Sequence, residues 1–358
     1  MNASEIPKNK VSKRIIYFKR WMDPVAEKIL GGRADIEVTR LELDGDPALN
    51  WKALKAAHGY QSLPRFEMGK AWFPNADLIS QCPNLLIVSS AGAGYDVVDV
   101  DACTAAGIIV CNQSGTNKEA VAEHALGFML SLSKKIAVGD RATRRGTVAD
   151  RWDLKSNDIR GKTLGIVGIG HIGGRLAKIC RDAFNMNIIA VDPYLTADQI
   201  ASRGGKKVDM AELLATSDFV SLNCPLTPET KGLFGKAHFF AMKPTAFFIT
   251  TARGGVHDEV GLAEALAAKA IAGAGLDVFS VEPPPPDHPL LKFDNVIATP
   301  HVGGITDEAT RDTAEAAAEQ WMTILDGGVP PRLVNPEVWS RYSQRFETAF
   351  GFRPANLS

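Results

Sequence analysis

A glycine motif in the middle of the chain most strongly limits the folds open to this sequence. Gly168-Ile-Gly170-His-Ile-Gly173 follows an apolar run at Leu164–Ile169 and opens a stretch with helical spacing at Ile172–Ala183. A strand, a glycine turn and a helix in this order form the phosphate-binding turn of a dinucleotide-binding unit. Gly168 would allow the tight turn, Gly170 the approach of a pyrophosphate, and Gly173 the packing of helix on strand.

An acidic residue at the end of the next predicted strand extends this motif. Asp192 follows the strand Asn187–Val191 and lies 24 positions after Gly168 (192 − 168). A carboxylate there can accept hydrogen bonds from ribose hydroxyls and would repel a 2′-phosphate, so NAD is favoured over NADP. Arg175 and Arg181 on the helix could weaken that preference.

Apolar strands alternate with amphipathic helices along most of the chain. This alternation predicts parallel sheets covered by helices on both faces, and 358 residues exceed the usual size of one domain. We therefore expect two α/β domains, the N-terminal one with the weaker pattern. The other predicted strands are Arg14–Phe18, Ile36–Thr39, Leu85–Ser89, Asp218–Leu222, Ala246–Thr250, Ile271–Val278 and Val296–Ala298.

Four further segments carry separate expectations. Lys118–Ser133 is a long apolar helical run that could cross between domains or lie in one core. An Ala-rich helix is predicted from Thr306 to Leu325, and the aromatic and charged tail Val338–Ser358 is expected on the surface. His58–Ser80 follows no recognised pattern, and Arg65 within it could bind a second acidic group of a substrate or simply be solvated.

Composition excludes several classes of partner. The formal net charge is −1, with 45% apolar and 23% charged residues, so neither nucleic acid nor a membrane surface is expected as a partner. No apolar run reaches the ~18 residues that a membrane span needs. The polar start, MNASEIPKNKVSKR, does not predict a signal peptide, and we expect a flexible lead-in there.

Cysteines and histidines indicate the compartment and the absence of a metal. None of the five cysteines forms a C-x-x-C pair, which predicts reduced thiols in a cytoplasmic protein. The seven histidines show no spacing of the H-E-x-x-H kind, so no metal site is expected.

Three charged or titratable residues follow three different predicted strands: Arg253, Glu282 and His301. The carboxyl ends of parallel strands meet at the ligand-binding edge of a sheet. Reduction of a 2-keto acid needs a cation for the carboxylate and carbonyl, and the guanidinium fork of Arg253 suits this role. It also needs a proton donor near neutral pH, which His301 can supply, and Glu282 could orient the imidazole and favour its charged form.

These motifs together resemble those of the D-isomer-specific 2-hydroxyacid dehydrogenases. The resemblance implies a Rossmann-type NAD-binding domain at 120–307, inserted into a smaller flavodoxin-like substrate-binding domain made of 1–119 and 308–358. Both would be doubly wound parallel-sheet domains, and a homodimer is implied as well. The matching segments are Val167–Gly173, Cys224-Pro-Leu-Thr-Pro-Glu-Thr-Lys-Gly232, Thr251-Ala-Arg-Gly-Gly255, Gly275-Leu-Asp-Val-Phe279 with Glu282-Pro, and Thr299-Pro-His-Val-Gly-Gly304.

The resemblance also implies roles for individual residues. Arg253, Glu282 and His301 would be the catalytic trio. The backbone N–H groups of Ala93 and Gly94 would bind the substrate carboxylate, with Arg253 and His301 as further substrate contacts. Asp277 would contact the nicotinamide side of the cofactor. The implied NAD-binding residues are Gly168, Gly170, His171, Ile172, Gly173, Asp192, Pro225, Thr230, Thr251, Ala252, Asp277 and Gly303.

The sequence therefore predicts an enzyme that transfers a hydride between NAD and C2 of a small D-2-hydroxy acid or 2-keto acid. A phosphite-type anion dehydrogenase stays open because it shares the Arg–Glu–His trio. A formate-type enzyme would need a different histidine context and asparagine motifs that are absent here. An NAD(H)-sensing binding protein without fast turnover is the alternative from a different class.

Overall fold

The computed structural model describes residues 12–357. The chain divides into two compact units: unit 1 holds the residues up to Asn117 and from Asp307 onward, and unit 2 is Lys118–Thr306. Residues 1–11 lie outside the described part, so the expectation of a flexible lead-in is untested there.

The strands and helices of the described residues alternate along most of the chain. The strands are β1 (Lys13–Phe18), β2 (Ile36–Leu41), β3 (Gly59–Ser62), β4 (Ile87–Ser90), β5 (Ile109–Cys111), β6 (Thr163–Val167), β7 (Asn187–Val191), β8 (Lys206–Lys207), β9 (Phe219–Leu222), β10 (Phe247–Thr250), β11 (Gly273–Leu276) and β12 (Val296–Ala298). The helices are α1 (Val25–Gly31), α2 (Pro47–Ala56), α3 (Ala76–Gln81), α4 (Val100–Ala105), α5 (Lys118–Ser133), α6 (Ile136–Arg145), α7 (His171–Phe184), α8 (Ala197–Ser202), α9 (Met210–Thr216), α10 (Lys236–Ala241), α11 (Glu259–Ala267), α12 (Asp307–Leu325) and α13 (Trp339–Phe350).

Unit 1 contains a parallel sheet whose described strands follow the order β2-β1-β3-β4-β5. This is the flavodoxin-like doubly wound order, in which the strand sequence reverses direction between β1 and β3. Side chains of both faces of β1 are buried. Ile15 packs with residues of α12 and α13 on one face, and Ile16 packs with Leu54 and Tyr60 on the other.

Strand β3 was not expected from the sequence, because Gly-Tyr-Gln-Ser lacks an apolar run. All four residues are buried nevertheless. The Nε1–H of Trp321, on α12, donates to Oε1 of Gln61 at 2.7 Å. A Cβ on Gly59 would overlap the ring of Trp321. A distant helix therefore satisfies the polar side chain and fills the space that the glycine leaves.

Unit 2 contains a parallel sheet in the order β12-β11-β10-β9-β6-β7-β8 among the described residues. This is the doubly wound order of dinucleotide-binding domains, with its switch point between β6 and β9. The predicted fold class, a Rossmann-type unit together with a flavodoxin-like unit, is confirmed.

Helix α5 belongs to the unit 2 core, where Ala125, Phe128 and Met129 are buried.

The expectation that Val338–Ser358 lies on the surface is wrong for one face of α13. Trp339, Tyr342 and Phe346 are buried and pack in the unit 1 core with Trp321. Their spacing of three and four residues places them on one face of the helix. The charged residues between them occupy the other faces, which made the segment look like surface.

Candidate active site

The glycine turn, Gly168–Gly173, connects β6 to α7 at the switch point of the unit 2 sheet. Gly168 has a φ of +87°, and a Cβ there would lie 3.0 Å from the backbone nitrogen of Cys224. A Cβ on Gly173 would overlap the carbonyl oxygen of Gly168. Gly170, which precedes the first residue of α7, has nothing within 4 Å of the Cβ position. The turn is thus closed on the sheet side and open at the helix N-terminus, which fits a pyrophosphate.

Asp192 lies beside this turn, as expected for a residue after β7. Its Oδ2 accepts the Ile169 N–H at 3.2 Å and its Oδ1 accepts the Tyr194 N–H at 3.1 Å. Arg203 donates to the Ile169 carbonyl oxygen. The Asp192 carboxylate therefore both contacts the glycine turn and lies half-buried at its edge, where a ribose hydroxyl could reach it.

Pro225 and Thr230 belong to one turn after β9, the strand next to β6. Thr230 Oγ1 donates to the Pro225 carbonyl oxygen at 2.5 Å and accepts the Thr227 N–H at 2.8 Å. The Asn223 N–H donates to the carbonyl oxygen of Val167, the last residue of β6, at 2.9 Å. These bonds place the turn at the same sheet edge as the glycine turn.

His301 and Glu282, two of the predicted trio, form a hydrogen-bonded pair. His301 Nδ1 lies 2.8 Å from Glu282 Oε2, and both side chains are largely buried. The other oxygen of Glu282 accepts the Phe279 N–H at 3.0 Å. His301 has a φ of +58°, a conformation that L-residues other than Asn, Asp and His seldom adopt. Strained backbone of this kind concentrates at functional sites.

Arg253 follows β10, the strand next to β11 in the sheet. Its Nη1 donates to the Ala252 carbonyl oxygen at 2.7 Å, and Ala252 is buried, as is Thr251. A Cβ on Gly254 would overlap the Phe279 carbonyl group. The Arg253 loop therefore contacts the segment that carries Glu282. Because β10, β11 and β12 are adjacent, the loops with Arg253, Glu282 and His301 leave the same sheet edge.

Asp277 at the end of β11 organises the segment after His301. Its Oδ1 accepts the Thr299 hydroxyl at 2.6 Å and the Val302 N–H at 2.9 Å, while Oδ2 accepts the Gly303 N–H at 2.8 Å. Asp277 is only 2% exposed. Its contacts within the protein fix the backbone next to the imidazole, whereas its predicted contact with the nicotinamide stays a prediction.

His124 of α5 is a member of this network that the sequence did not single out. Its Nε2 lies 2.9 Å from Thr299 Oγ1 and 3.6 Å from Asp277 Oδ1. Its ring packs edge-on against Phe128. A lone histidine in an apolar helix gives no local signal, because its partners lie at least 150 positions later in the chain.

The carboxylate loop, Ser90–Asp96, follows β4 at the carboxyl edge of the unit 1 sheet. Ser90 Oγ donates to the Gly94 carbonyl oxygen at 2.5 Å, and Asn112 Nδ2 donates to that of Ala93 at 2.9 Å. Among residues 12–357, the N–H groups of Ala93 and Gly94 donate to no protein acceptor. Backbone N–H groups that are left over by such a loop can bind an anion.

Arg65 lies beside this loop with a side chain that is 60% exposed, as expected of a solvated arginine, and it also contacts the loop. Its Nε is 3.0 Å from Asp96 Oδ2, and its Nη2 donates to the Asp96 carbonyl oxygen at 3.2 Å. The guanidinium therefore already engages a carboxylate of the loop. This contact weakens the interpretation of Arg65 as the ligand of a second acidic group on the substrate.

Residues 12–357 contain no cluster of three or more His, Cys, Asp or Glu side chains that could bind a metal ion. No helix in that part of the chain combines the length and apolarity of a membrane span.

The unit 2 topology and its glycine turn define a dinucleotide-binding α/β protein. The family model of the D-isomer specific 2-hydroxyacid dehydrogenase NAD-binding domain matches residues 126–303. A glyoxylate reductase of Thermofilum pendens is 39% identical over 268 residues, which are 74% of this chain and 79% of that protein. The chain belongs to the D-isomer-specific 2-hydroxyacid dehydrogenase family.

Other relatives agree with this assignment. A D-3-phosphoglycerate dehydrogenase of Archaeoglobus fulgidus is 41% identical over 256 residues, 71% of this chain and 48% of that protein. The chain thus spans about half the length of the phosphoglycerate dehydrogenases that it matches. The crystal structure of a glyoxylate reductase from Paecilomyes thermophila has a TM-score of 0.79 at 28% identity, and the match covers 91% of this chain and 99% of that one.

Proposed function

We propose that this protein is an NAD-dependent D-2-hydroxyacid dehydrogenase that transfers a hydride between the nicotinamide and C2 of a small 2-hydroxy acid or 2-keto acid. The observation that carries the proposal is the His301–Glu282 pair, 2.8 Å apart, on the sheet edge from which the Arg253 loop also leaves. An arginine, an imidazole and a carboxylate at that edge of an NAD-binding domain supply the groups that reduction of a 2-keto acid requires.

The cofactor, when bound, donates or accepts the hydride. We propose that the N–H groups at the start of α7 bind its pyrophosphate and that Asp192 accepts hydrogen bonds from the ribose, because Gly170 leaves open space there. The residues proposed to bind it are Gly168, Gly170, His171, Ile172, Gly173, Asp192, Pro225, Thr230, Thr251, Ala252, Asp277 and Gly303.

In the direction of reduction, His301 acts as the general acid. Charged His301 gives the proton on Nε2 to the keto oxygen as C2 gains the hydride, so that the product is an alcohol and the imidazole is left neutral. Glu282 accepts a hydrogen bond from the Nδ1–H group throughout, which orients the ring so that Nε2 carries the proton that is transferred. In the oxidative direction neutral His301 accepts the hydroxyl proton.

Arg253 has a binding role and an electrostatic role. Its guanidinium would bind a substrate carboxylate oxygen and polarise the carbonyl group that is reduced. The N–H groups of Ala93 and Gly94 are proposed as carboxylate ligands as well. This assignment is supported because neither group donates to a protein acceptor among residues 12–357.

Replacement of the acid–base residue tests the proposal. Wild-type protein is expected to oxidise NADH, followed by absorbance, with glyoxylate, hydroxypyruvate or a related 2-keto acid. His301→Ala should lower kcat by ~10²–10⁴-fold, while NADH affinity, measured by fluorescence, changes little. Activity near that of the wild type in His301→Ala would reject the acid–base role. Phosphite is tested separately as a hydride donor for NAD. Protein that binds NADH but turns over neither the 2-keto acids nor phosphite would instead be an NAD(H)-sensing binding protein.

The oligomeric state and the cellular location are proposed in addition. A homodimer is proposed from the family resemblance, and light scattering of the purified protein checks it. A cytoplasmic location is proposed because the five cysteines are all free. Burial raises the pKa of Cys82 and Cys224 to about 11, which disfavours the reactive thiolate.

A further inference from the structure

The residues Phe279 and Ser280 form a junction of three segments in unit 2. The Phe279 N–H donates to Glu282 Oε1 at 3.0 Å, and the Ser280 N–H donates to Glu259 Oε1 at 2.6 Å. The Phe279 carbonyl group lies against Gly254, where a Cβ would overlap it. The backbone that supports Glu282 therefore also contacts the Arg253 loop and a second carboxylate, Glu259.

The segment Phe279–Pro286 is named the Glu282 loop. Its four consecutive prolines, Pro283–Pro286, carry no N–H group and cannot donate to backbone acceptors. Val281 is 65% exposed and contributes little packing. Few N–H groups of the loop are therefore available to fix its position, and Glu259 supplies the acceptor for that of Ser280.

Glu259 is the first residue of α11, but it does not cap its own helix. Asp258 fills that role, because its Oδ1 accepts the N–H groups of Val260 and Gly261 at 3.0 Å. The Glu259 side chain, 15% exposed, points to the Glu282 loop and to His288 instead. A carboxylate at that helix end without a capping role is available to fix another segment.

His288 completes a second carboxylate–imidazole pair. Its Nε2 lies 3.2 Å from Glu259 Oε2, and its Nδ1 accepts the Leu290 N–H at 3.3 Å. An acceptor nitrogen carries no proton, so the network assigns the neutral ring proton to Nε2, which donates to Glu259. The ring of His288 also packs edge-on against Phe279 at 5.4 Å.

We propose that Glu259, oriented by His288, is a positioning residue for Glu282 and through it for His301. One oxygen of Glu259 fixes the Ser280 N–H and the other is fixed by His288, so the Glu282 loop is kept where Glu282 reaches Nδ1 of His301. This inference rests on the proposed function for its kinetic consequence. It adds a second His–Glu pair whose role is geometric and which does not touch substrate.

Kinetics of a graded series test the proposal. Glu259→Ala removes both hydrogen bonds, whereas Glu259→Gln retains an acceptor for Ser280 but presents an amide donor to His288. We expect kcat to fall about tenfold in the first and about threefold in the second, roughly the effect of losing one to two hydrogen bonds. KM for the 2-keto acid and NADH affinity should stay within twofold, because Glu259 is not among the residues proposed to bind either ligand.

A matched control lies on the same helix. Glu264 pairs with Lys236 at the surface, so Glu264→Gln makes the same chemical change away from the Glu282 loop and should keep the wild-type kcat. Thermal midpoints are measured for every variant. Wild-type kcat in Glu259→Ala, or an equal loss in Glu264→Gln, overturns the proposal.

A second measurement does not need turnover. In protein with ¹⁵N-labelled histidine, the proton between His301 Nδ1 and Glu282 gives a downfield resonance, assigned by its loss in His301→Ala. We expect this resonance to shift or broaden in Glu259→Ala and to stay in Glu264→Gln. An unchanged resonance in Glu259→Ala overturns the positioning role. If wild-type protein turns over no 2-keto acid, the proposed function fails while this spectrum still decides the inference.

Discussion

Two turns with similar glycine content follow buried parallel strands, one in each unit, and different forces shape them. In the glycine turn of unit 2, a Cβ on Gly173 would overlap the Gly168 carbonyl oxygen. In the carboxylate loop of unit 1, Gly92 has nothing within 4 Å of its Cβ position, and side chains such as Asn112 bind the loop carbonyls. The first turn is shaped by the lack of side chains, and the second by the hydrogen bonds that side chains make.

Of the changes to the two turns, the largest effect on stability and NADH affinity is expected at Gly173, where a Cβ would overlap a backbone oxygen. Gly173→Ala should lower the free energy of unfolding by about 1–3 kcal/mol, because the new methyl group forces α7 away from the turn. NADH affinity should fall at least tenfold (~1.4 kcal/mol). Denaturant unfolding and fluorescence titration measure the two effects.

Gly174→Ala is the matched control for this variant. Its Cβ would meet its nearest neighbours at ordinary contact distances of 3.8 and 3.9 Å. It should be neutral or stabilising by up to ~1 kcal/mol, because alanine favours the helix. Equal destabilisation by both substitutions would contradict the account of the glycine turn as a packing constraint.

A smaller effect is expected for the carboxylate that contacts the same turn. Asp192→Ala removes the acceptor of the Ile169 N–H and the proposed ribose ligand, so NADH Kd should rise about tenfold. NADPH Kd should change less, because the repulsion of a 2′-phosphate is removed together with the hydrogen bonds. Parallel titrations with both cofactors measure the ratio, and an unaltered ratio would count against the ribose assignment.

The smallest effect concerns the carboxylate loop. Asn112→Ala removes the hydrogen bond to the Ala93 carbonyl group, worth ~1 kcal/mol. KM for the 2-keto acid should rise about fivefold, and NADH affinity should not change.

Gly92→Ala should alter the free energy of unfolding by less than ~0.5 kcal/mol. A large stability loss in Gly92→Ala would mean that packing shapes this turn too, and the contrast between the turns would disappear.

Much of the unit 2 fold was predictable because buried parallel strands are continuous apolar runs. Asn187–Val191 and Val296–Ala298 were predicted with their observed bounds. Strand β3 was not predicted, because its polar Gln61 is buried only through a hydrogen bond with Trp321, 260 positions away. The tail was placed wrongly because its aromatic face was not separated from its charged residues.

The candidate site divides in the same way. Arg253, Glu282 and His301 could be picked out because each follows a predicted strand, and parallel strands bring such residues to one edge. Their mutual roles stay a prediction. His124 and the Glu259–His288 pair gave no signal, since a polar residue at one position does not reveal which distant group it will meet.

Most strands and helices of unit 2, the glycine turn and the residues at strand ends were decided by the sequence itself. Apolar periodicity and the backbone freedom of glycine are local properties that can be read from a few neighbouring letters. The tertiary structure alone decided which buried polar groups pair, as Glu259 does with Ser280 and His288. A hydrogen bond depends on distance and direction to within a fraction of an ångström, and only the packed elements set those.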